Sequence, residues 1–374
     1  AADYAFPAGK QSVEIPFTLR NGHVYVDVKI NGKGPFLMLF DSGGANVLFP
    51  ETIKALGLKA EGAIEGNGVG EAKQDAALTR VDALEIGGIS IARQVFVSLP
   101  LGPQIRRIEG VDRVAGLVGY ELLKRFPTRI DYTRNRIVFY DPAQWRYSGD
   151  GVKLPIHFKD NIAQVDGSLD GIDGVFEIDT GSRTSLTVAA PFAQEHKLAE
   201  KYHATAEVIT GAGVGGPSRT RIARAGMLKL GGIEVPKPVT LLSTATAGAV
   251  ADRSRAANGG YGVLRRFNLV FDYRNEVIWF EKNAAFNEPD VHDRAGIWVE
   301  RNDKGFVVAD VLAGGPAAAA GLKTGDVVRA VDGKSATGIA LDAMRNRLKG
   351  AVGSTVKLTL VSGKTVDIKL RDLV

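Results

Sequence analysis

Two short strings carry the residues best suited to chemistry. Asp41-Ser42-Gly43 follows the apolar run Phe36-Leu37-Met38-Leu39-Phe40, and Asp179-Thr180-Gly181 follows Gly174-Val175-Phe176-Glu177-Ile178. Two carboxylates that share one proton can activate water. The ionised one takes a proton from the water while the protonated one hydrogen-bonds a carbonyl. Like charges about 3 Å apart do not ionise together easily, so their pKa values split. Such a pair hydrolyses an amide without metal or thiol. Glycine after the hydroxyl residue lets two loops meet backbone to backbone, and each hydroxyl can bond across to the opposite loop. One Asp-Thr-Gly is an ordinary turn string. The weight lies in having two, each after an apolar strand.

Other chemistry has less support. Cysteine is absent, which excludes disulfides, a thiol nucleophile and cysteine metal sites. Of the five histidines, only His196 and His203 are close in sequence, and no carboxylate completes a metal set with them. No metal and no cofactor are expected. Gly211-Ala212-Gly213-Val214-Gly215-Gly216 spells a dinucleotide fingerprint, but Pro217 and a polar strand follow where a helix is required. Asp131 and Asp272 recur in Asp-Tyr-x-x-Asn contexts and read as turn residues, as does Asp173 before Gly174.

The elements around the two strings repeat in order, about 140 residues apart. Gly66-Asn67-Gly68-Val69-Gly70 matches the glycine loop 211–216. Leu84-Glu85-Ile86-Gly87-Gly88-Ile89 matches Leu228-Lys229-Leu230-Gly231-Gly232-Ile233. Leu117-Val118-Gly119-Tyr120 is paired with Gly260-Tyr261-Gly262-Val263, and Ile130-Asp131-Tyr132 with Phe271-Asp272-Tyr273. Short β-branched runs alternate with Gly, Asn and Asp turns, so the chain is mainly β. Asn31-Gly32 and Gly87-Gly88 are hairpin turns. Short helices are expected at 50–56, 190–202 and 341–348. Long helices do not alternate with the strands, which excludes a βαβ fold.

These residues resemble the pepsin/retropepsin superfamily over residues 13–282. Asp41-Ser42-Gly43 and Asp179-Thr180-Gly181 match its catalytic motif, and Leu117-Val118-Gly119 matches its hydrophobic-hydrophobic-Gly brace, with Gly260-Tyr261-Gly262 as the weaker second copy. The resemblance implies a two-lobed acid-protease fold with Asp41 and Asp179 as the catalytic pair. Ser42 and Thr180 would form a cross-lobe brace, supported by Gly43 and Gly181. Flaps are expected around Gly66, Gly68 and Gly70 and around Gly211, Gly213 and Gly215. The sequence departs from the family in two ways. Gly44 stands where Ala, Ser or Thr is usual, which is expected to loosen the loop, and neither flap carries a tyrosine.

Past Glu288-Pro289-Asp290 the pattern changes. Gly314-Gly315-Pro316 leads into Ala317-Ala318-Ala319-Ala320-Gly321-Leu322, then Gly325-Asp326 and a strand ending at Asp332-Gly333. This resembles a bacterial-type PDZ domain, an α+β module that captures chain ends by strand addition. By resemblance, Ala295, Gly296 and Ile297 form a carboxylate-binding loop leading into a strand at Trp298, opposite a helix at 341–348. The expected organisation is a tail at 1–12, lobes at 13–145 and 146–288, and the PDZ domain at 289–374.

The chain has 374 residues and a formal net charge of +5, with Lys and Arg scattered among Asp and Glu. No basic run with interleaved aromatics favours nucleic acid, and no stretch reaches the roughly 18 apolar residues of a membrane span. The start Ala1-Ala2-Asp3 leads to the expectation of a bacterial periplasmic or extracellular protein after signal-peptide removal. Taken with the resemblances, the expected function is an aspartic endopeptidase, with peptide or protein substrates recruited by a free C-terminus at the PDZ groove. The alternative is a catalytically inactive peptide-binding scaffold.

Overall fold

The computed structural model describes residues 3–66, 74–102, 105, 108, 114–213 and 216–374. The chain is mainly β. Two large sheets, one in each lobe, flank a six-stranded sheet, and a separate six-stranded sheet forms the C-terminal module. Among the described residues, no helix is long and apolar enough to cross a membrane.

Each lobe drives one strand toward the centre. In lobe 1 the hairpin of His23–Ile30 and Lys33–Asp41 turns at Asn31 and Gly32, both with positive φ. The strand Val114–Gly119 lies parallel to it, with Leu117 beside Leu39 and Gly119 beside Asp41. In lobe 2 Ile162–Leu169 pairs with Ile172–Ile178, and Ala257–Gly259 lies parallel to the latter, with Asn258 beside Glu177 and Gly259 beside Ile178. The second brace is therefore Asn258-Gly259-Gly260, followed by Tyr261 as Tyr120 follows Gly119. This corrects the alignment on Gly260-Tyr261-Gly262, which was set by glycine spacing. The register follows the backbone instead.

The sheet between the lobes is built from both. Thr128–Asp131 pairs antiparallel with Phe267–Asp272, placing Thr128 opposite Phe271 and Ile130 opposite Leu269. Arg136–Tyr140 and Ser12–Pro16 extend it on one side; Val277–Lys282 and Val152–Pro155 extend it on the other. Phe126, Phe139, Phe267, Phe271 and Phe280 are fully buried in one core continuous across the lobes. The expected N-terminal tail is partly structured: Tyr4–Ala5 pairs with Ile89–Ser98. Asp131 and Asp272 are turn residues, accepting the backbone N–H groups of Thr133 and Arg134 and of Asn275.

The helix Pro50–Leu56 starts on its proline and stops at Gly57 with φ 68°. The expected helix at 190–202 is instead two pieces, Ala190–Glu195 and Leu198–Lys201, separated by Lys197 at φ 50°. Ala190, Phe192 and Ala193 define the buried face. Leu198 would fall well off that face in a continuous helix, and the break turns it into the core.

The C-terminal module has its own core of Phe306, Val308, Val328, Met344, Leu358 and Ile368. Its edge strand Ile297–Asn302 faces the helix Leu341–Arg347.

Candidate active site and peptide groove

The two Asp loops meet through a reciprocal hydroxyl brace. The Ser42 backbone N–H donates to Thr180 Oγ1 at 2.9 Å, and the Thr180 N–H donates to Ser42 Oγ at 3.1 Å. Each hydroxyl passes its own proton to a carbonyl of the opposite strand, Ser42 to Ile178 at 3.3 Å and Thr180 to Phe40 at 3.2 Å. Both side chains are buried. All four groups are therefore satisfied only while the lobes stay joined. The Tyr273 hydroxyl adds a bond to the Ser42 carbonyl at 3.1 Å.

Asp41 and Asp179 stand partly exposed beside this brace. Asp41 Oδ1 accepts the Gly43 and Gly44 amides at 3.0 and 2.8 Å. Asp179 Oδ1 accepts the Gly181 amide at 2.8 Å, and its Oδ2 accepts Asn258 Nδ2 at 2.8 Å. A side chain on Gly181 would place its Cβ 2.5 Å from the Asp41 carboxyl carbon. That contact brings the second loop against the first carboxylate. Burial pushes both carboxyl groups up, and their mutual repulsion delays loss of the pair's last proton to about 7. Gly43 packs on Ile162, where a Cβ would come within 2.6 Å. Gly44 does not loosen the loop. Its amide holds Asp41, and a Cβ there would approach the same carboxylate to 2.7 Å.

The expected flaps fall on two hairpins. Gly66 ends the strand Ala60–Gly66, which pairs with Gln74–Ile86, while Gly68 and Gly70 lie outside the described residues. Gly211 and Gly213 lie on Glu207–Gly213, which pairs with Gly216–Arg224, and Gly215 lies outside the described residues. The lobe 2 hairpin is tied to the C-terminal module. The Asp310 carboxylate accepts the Ile209 amide at 2.7 Å and pairs with Arg219 at 3.0 Å. The histidines sit elsewhere in their chemistry: His23 is buried and held neutral, and His196 packs on Phe192. No cluster of three or more potential metal ligands occurs among the described residues.

The expected carboxylate loop is filled from within. Asp293 accepts the amides of Ala295, Gly296 and Ile297 at 3.2, 2.6 and 3.1 Å. Burial lifts Asp293 to about 6 despite these three donors. Gly296 has φ 76° and sits against Leu312. From the helix, Arg345 donates to the Val299 carbonyl of the adjoining strand at 2.9 Å, and the guanidinium groups of Arg345 and lobe 2 Arg183 both lie over the Trp298 ring. A cavity of about 420 Å³ remains where the groove faces lobe 2, lined by Ile297, Leu348, Lys349, Arg183 and Tyr261 among others. The open groove expected from sequence is thus partly closed, because a neighbouring carboxylate and lobe 2 side chains meet its polar backbone and its indole.

Residues 26–122 match the family model described as aspartyl protease, and residues 287–361 match that described as PDZ domain. The chain joins an aspartyl-protease fold to a PDZ domain. A solved aspartic proteinase from Irpex lacteus is similar to this aspartyl-protease fold at 14% identity, covering 75% of this chain and 99% of that one with a TM-score of 0.47. Two curated relatives are named probable CtpA-like serine proteases. The one from Staphylococcus haemolyticus is 35% identical over 103 residues, 27% of this chain and 21% of that protein. The one from Staphylococcus aureus strain COL is 34% identical over 104 residues, again 27% and 21%. The chain therefore spans about a fifth of the length of the curated relatives it matches.

Sequence reasoning missed Asn258, Glu177 and Arg255 beside Asp179. Glu177 is buried in an ion pair with Arg255, and Asn258 Nδ2 reaches Glu177 Oε2 at 3.2 Å as well as Asp179. The available signal was a charged residue two places before Asp179, inside the run Val175-Phe176-Glu177-Ile178.

Proposed function

We propose that the chain is an aspartic endopeptidase in which Asp41 and Asp179 activate one water between the lobes. The observation that carries this reading is the reciprocal Ser42–Thr180 brace, which holds two burial-raised carboxyl groups in adjoining loops. The ionised member takes a proton from the water, whose oxygen attacks the scissile carbonyl carbon. The protonated member hydrogen-bonds the carbonyl oxygen as charge develops there. The serine-protease name of the relatives does not transfer to Ser42. That side chain is buried, and its hydroxyl is committed to Thr180 and Ile178. The PDZ domain supplies peptide binding, and a chain end entering its groove must displace Asp293 from the loop amides.

Peptide-library digestion across pH, with and without a pepstatin-type inhibitor, tests this. Wild type is expected to cleave at acid to neutral pH and to be inhibited, and Asp41→Asn and Asp179→Asn each to lose at least about a thousandfold in kcat/KM while remaining folded. Either variant cleaving at near wild-type rate would reject the dyad.

A further inference from the structure

The two halves of the duplication differ sharply beside the dyad. In lobe 1 Tyr25, Leu39, Val114 and Leu117 belong to one buried apolar cluster. Register identifies their lobe 2 counterparts. Tyr25 faces Leu39 as Gln164 faces Glu177, and Leu117 lies beside Leu39 as Asn258 lies beside Glu177. Arg255 has no apolar counterpart in register: Val114 stands beside Leu37 at a bulge, and the matching lobe 2 position is Ala256, whose amide donates to the Val175 carbonyl. Three apolar residues are thus replaced by Gln164, Glu177 and Asn258, and Arg255 joins them from the position before Ala256.

These polar residues form one chain of contacts. Gln164 Nε2 donates to Glu177 Oε1 at 3.4 Å, and Arg255 pairs with Glu177 Oε2 and reaches the Ala249 carbonyl. Asn258 Nδ2 then joins Glu177 Oε2 to Asp179 Oδ2. Two carboxylate acceptors fix which end of the amide faces them, since only the NH₂ group can donate. Among the described residues Asn258 Oδ1 is buried with no hydrogen-bond partner. A buried ion pair seldom stabilises more than apolar packing of similar volume, and lobe 1 shows that apolar packing is available at these positions.

The consequence for the dyad is asymmetric. Both amides on Asp41 converge on Oδ1, so among the described residues its Oδ2 has no amide donor. On Asp179 each oxygen accepts a donor, one from Gly181 and one from Asn258. With a donor on each oxygen Asp179 has no free position for a proton, whereas Asp41 can carry one on Oδ2.

We propose that Asn258, held by Glu177 and Arg255, is a positioning residue that makes Asp179 the ionised member of the pair and leaves the shared proton on Asp41. This rests on the aspartic reading above. Other groups also face Asp179: Asp41 from the opposite loop, Glu177 from its own strand, and Tyr132 and Tyr273 from the shared sheet. His23 contacts the Gly181 backbone with Arg183 nearby. Among these, Asn258 is the uncharged donor placed on Asp179 Oδ2.

The test replaces Asn258 with the lobe 1 residue, Asn258→Leu. Loss of a hydrogen bond to the ionised form raises the pKa at which the pair first loses a proton. The acid limb of the kcat/KM profile should move to higher pH by about one unit, an approximately tenfold loss of activity on that limb, with recovery above it. Asn258→Asp, which adds negative charge beside Asp179, should move it further in the same direction. If Asn258→Leu does not fold, Glu177→Leu/Arg255→Val/Asn258→Leu removes the ion pair together with the amide, restores the lobe 1 residue types at 177 and 258, and takes its place. A lowered kcat with the limb unmoved would overturn the proposal and leave Asn258 a structural residue. A second readout does not need activity. In protein carrying ¹³C at the Asp side-chain carboxyl, Asp179 should lose its proton before Asp41 in wild type, with that order weakened or reversed in Asn258→Leu. The same titration in both proteins overturns the proposal. Because it can be read even if wild type cleaves no peptide, failure of the peptidase reading and failure of the Asn258 reading are distinguishable.

Discussion

Replacing Thr180 by valine removes one hydroxyl while nearly keeping the side-chain shape. In the native loop that hydroxyl accepts the Ser42 N–H and donates to the Phe40 carbonyl. Both partners lie in buried surroundings, so valine leaves an orphaned donor and an orphaned acceptor. The donor costs about 2 kcal/mol and the acceptor about 1 kcal/mol, so Thr180→Val should destabilise the lobes by about 3 kcal/mol. Thr180→Ser keeps the hydroxyl and deletes a buried methyl, which costs about 1 kcal/mol. Because one sheet contains strands of both lobes, the lobes should unfold together, and a urea transition read by circular dichroism reports the pair. Loosening of the brace should also lower kcat about tenfold or more with little change in KM, while serine stays close to wild type. A valine variant within about 0.5 kcal/mol of wild type at unchanged m-value would refute the brace as a stabiliser. A destabilised variant with unchanged kcat would refute it as the device that aligns the dyad.

The carboxyl of the coupled pair that keeps its proton longer is raised from 3.8 to about 7, so the folded protein binds more protons than the unfolded chain within that window. Stability from this group is complete below about pH 4 and declines as pH rises through about 7. Asp41→Asn leaves Asp179 without its coupled partner, so calorimetry from pH 4 to 8 should show a shallower decline and a higher Tm than wild type at pH 8; parallel curves would contradict the coupling. Asp310→Ala should release the lobe 2 hairpin from the PDZ domain. Amide exchange at Ile209 is expected to quicken at least about tenfold with Phe306 to Val308 unchanged, and equal protection at Ile209 would show that Asp310 does not hold the hairpin.

The features legible in the sequence were those written locally. Asp-Ser-Gly and Asp-Thr-Gly sit in short strings after apolar strands, and Asn31-Gly32 and Pro50 through Gly57 carry their own turn and cap chemistry. The second brace was misplaced because Asn258 interrupts the apolar signature that marks Leu117-Val118-Gly119, leaving glycine spacing as the guide. Glu177 and Arg255 read as ordinary polar positions until strand register buried them. The closure of the PDZ groove was equally hidden. Asp293 turns back on amides two to four residues ahead, and Arg183 reaches Trp298 from more than a hundred positions away. Both depend on tertiary placement that periodicity does not encode.

The interleaved sheet between the lobes also bears on the order in which the chain is made. The strand Thr128–Asp131 leaves the ribosome well before its neighbour Phe267–Asp272. Until that partner is synthesised, lobe 1 presents a hydrogen-bonding edge flanked by Phe126 and Phe139, both of which end fully buried. An unpaired apolar edge is a template for joining another chain, and it persists here through the synthesis of about 140 residues, roughly ten to thirty seconds at ordinary translation rates. The nascent first lobe is therefore the stage at which this protein most needs shielding from other copies of itself.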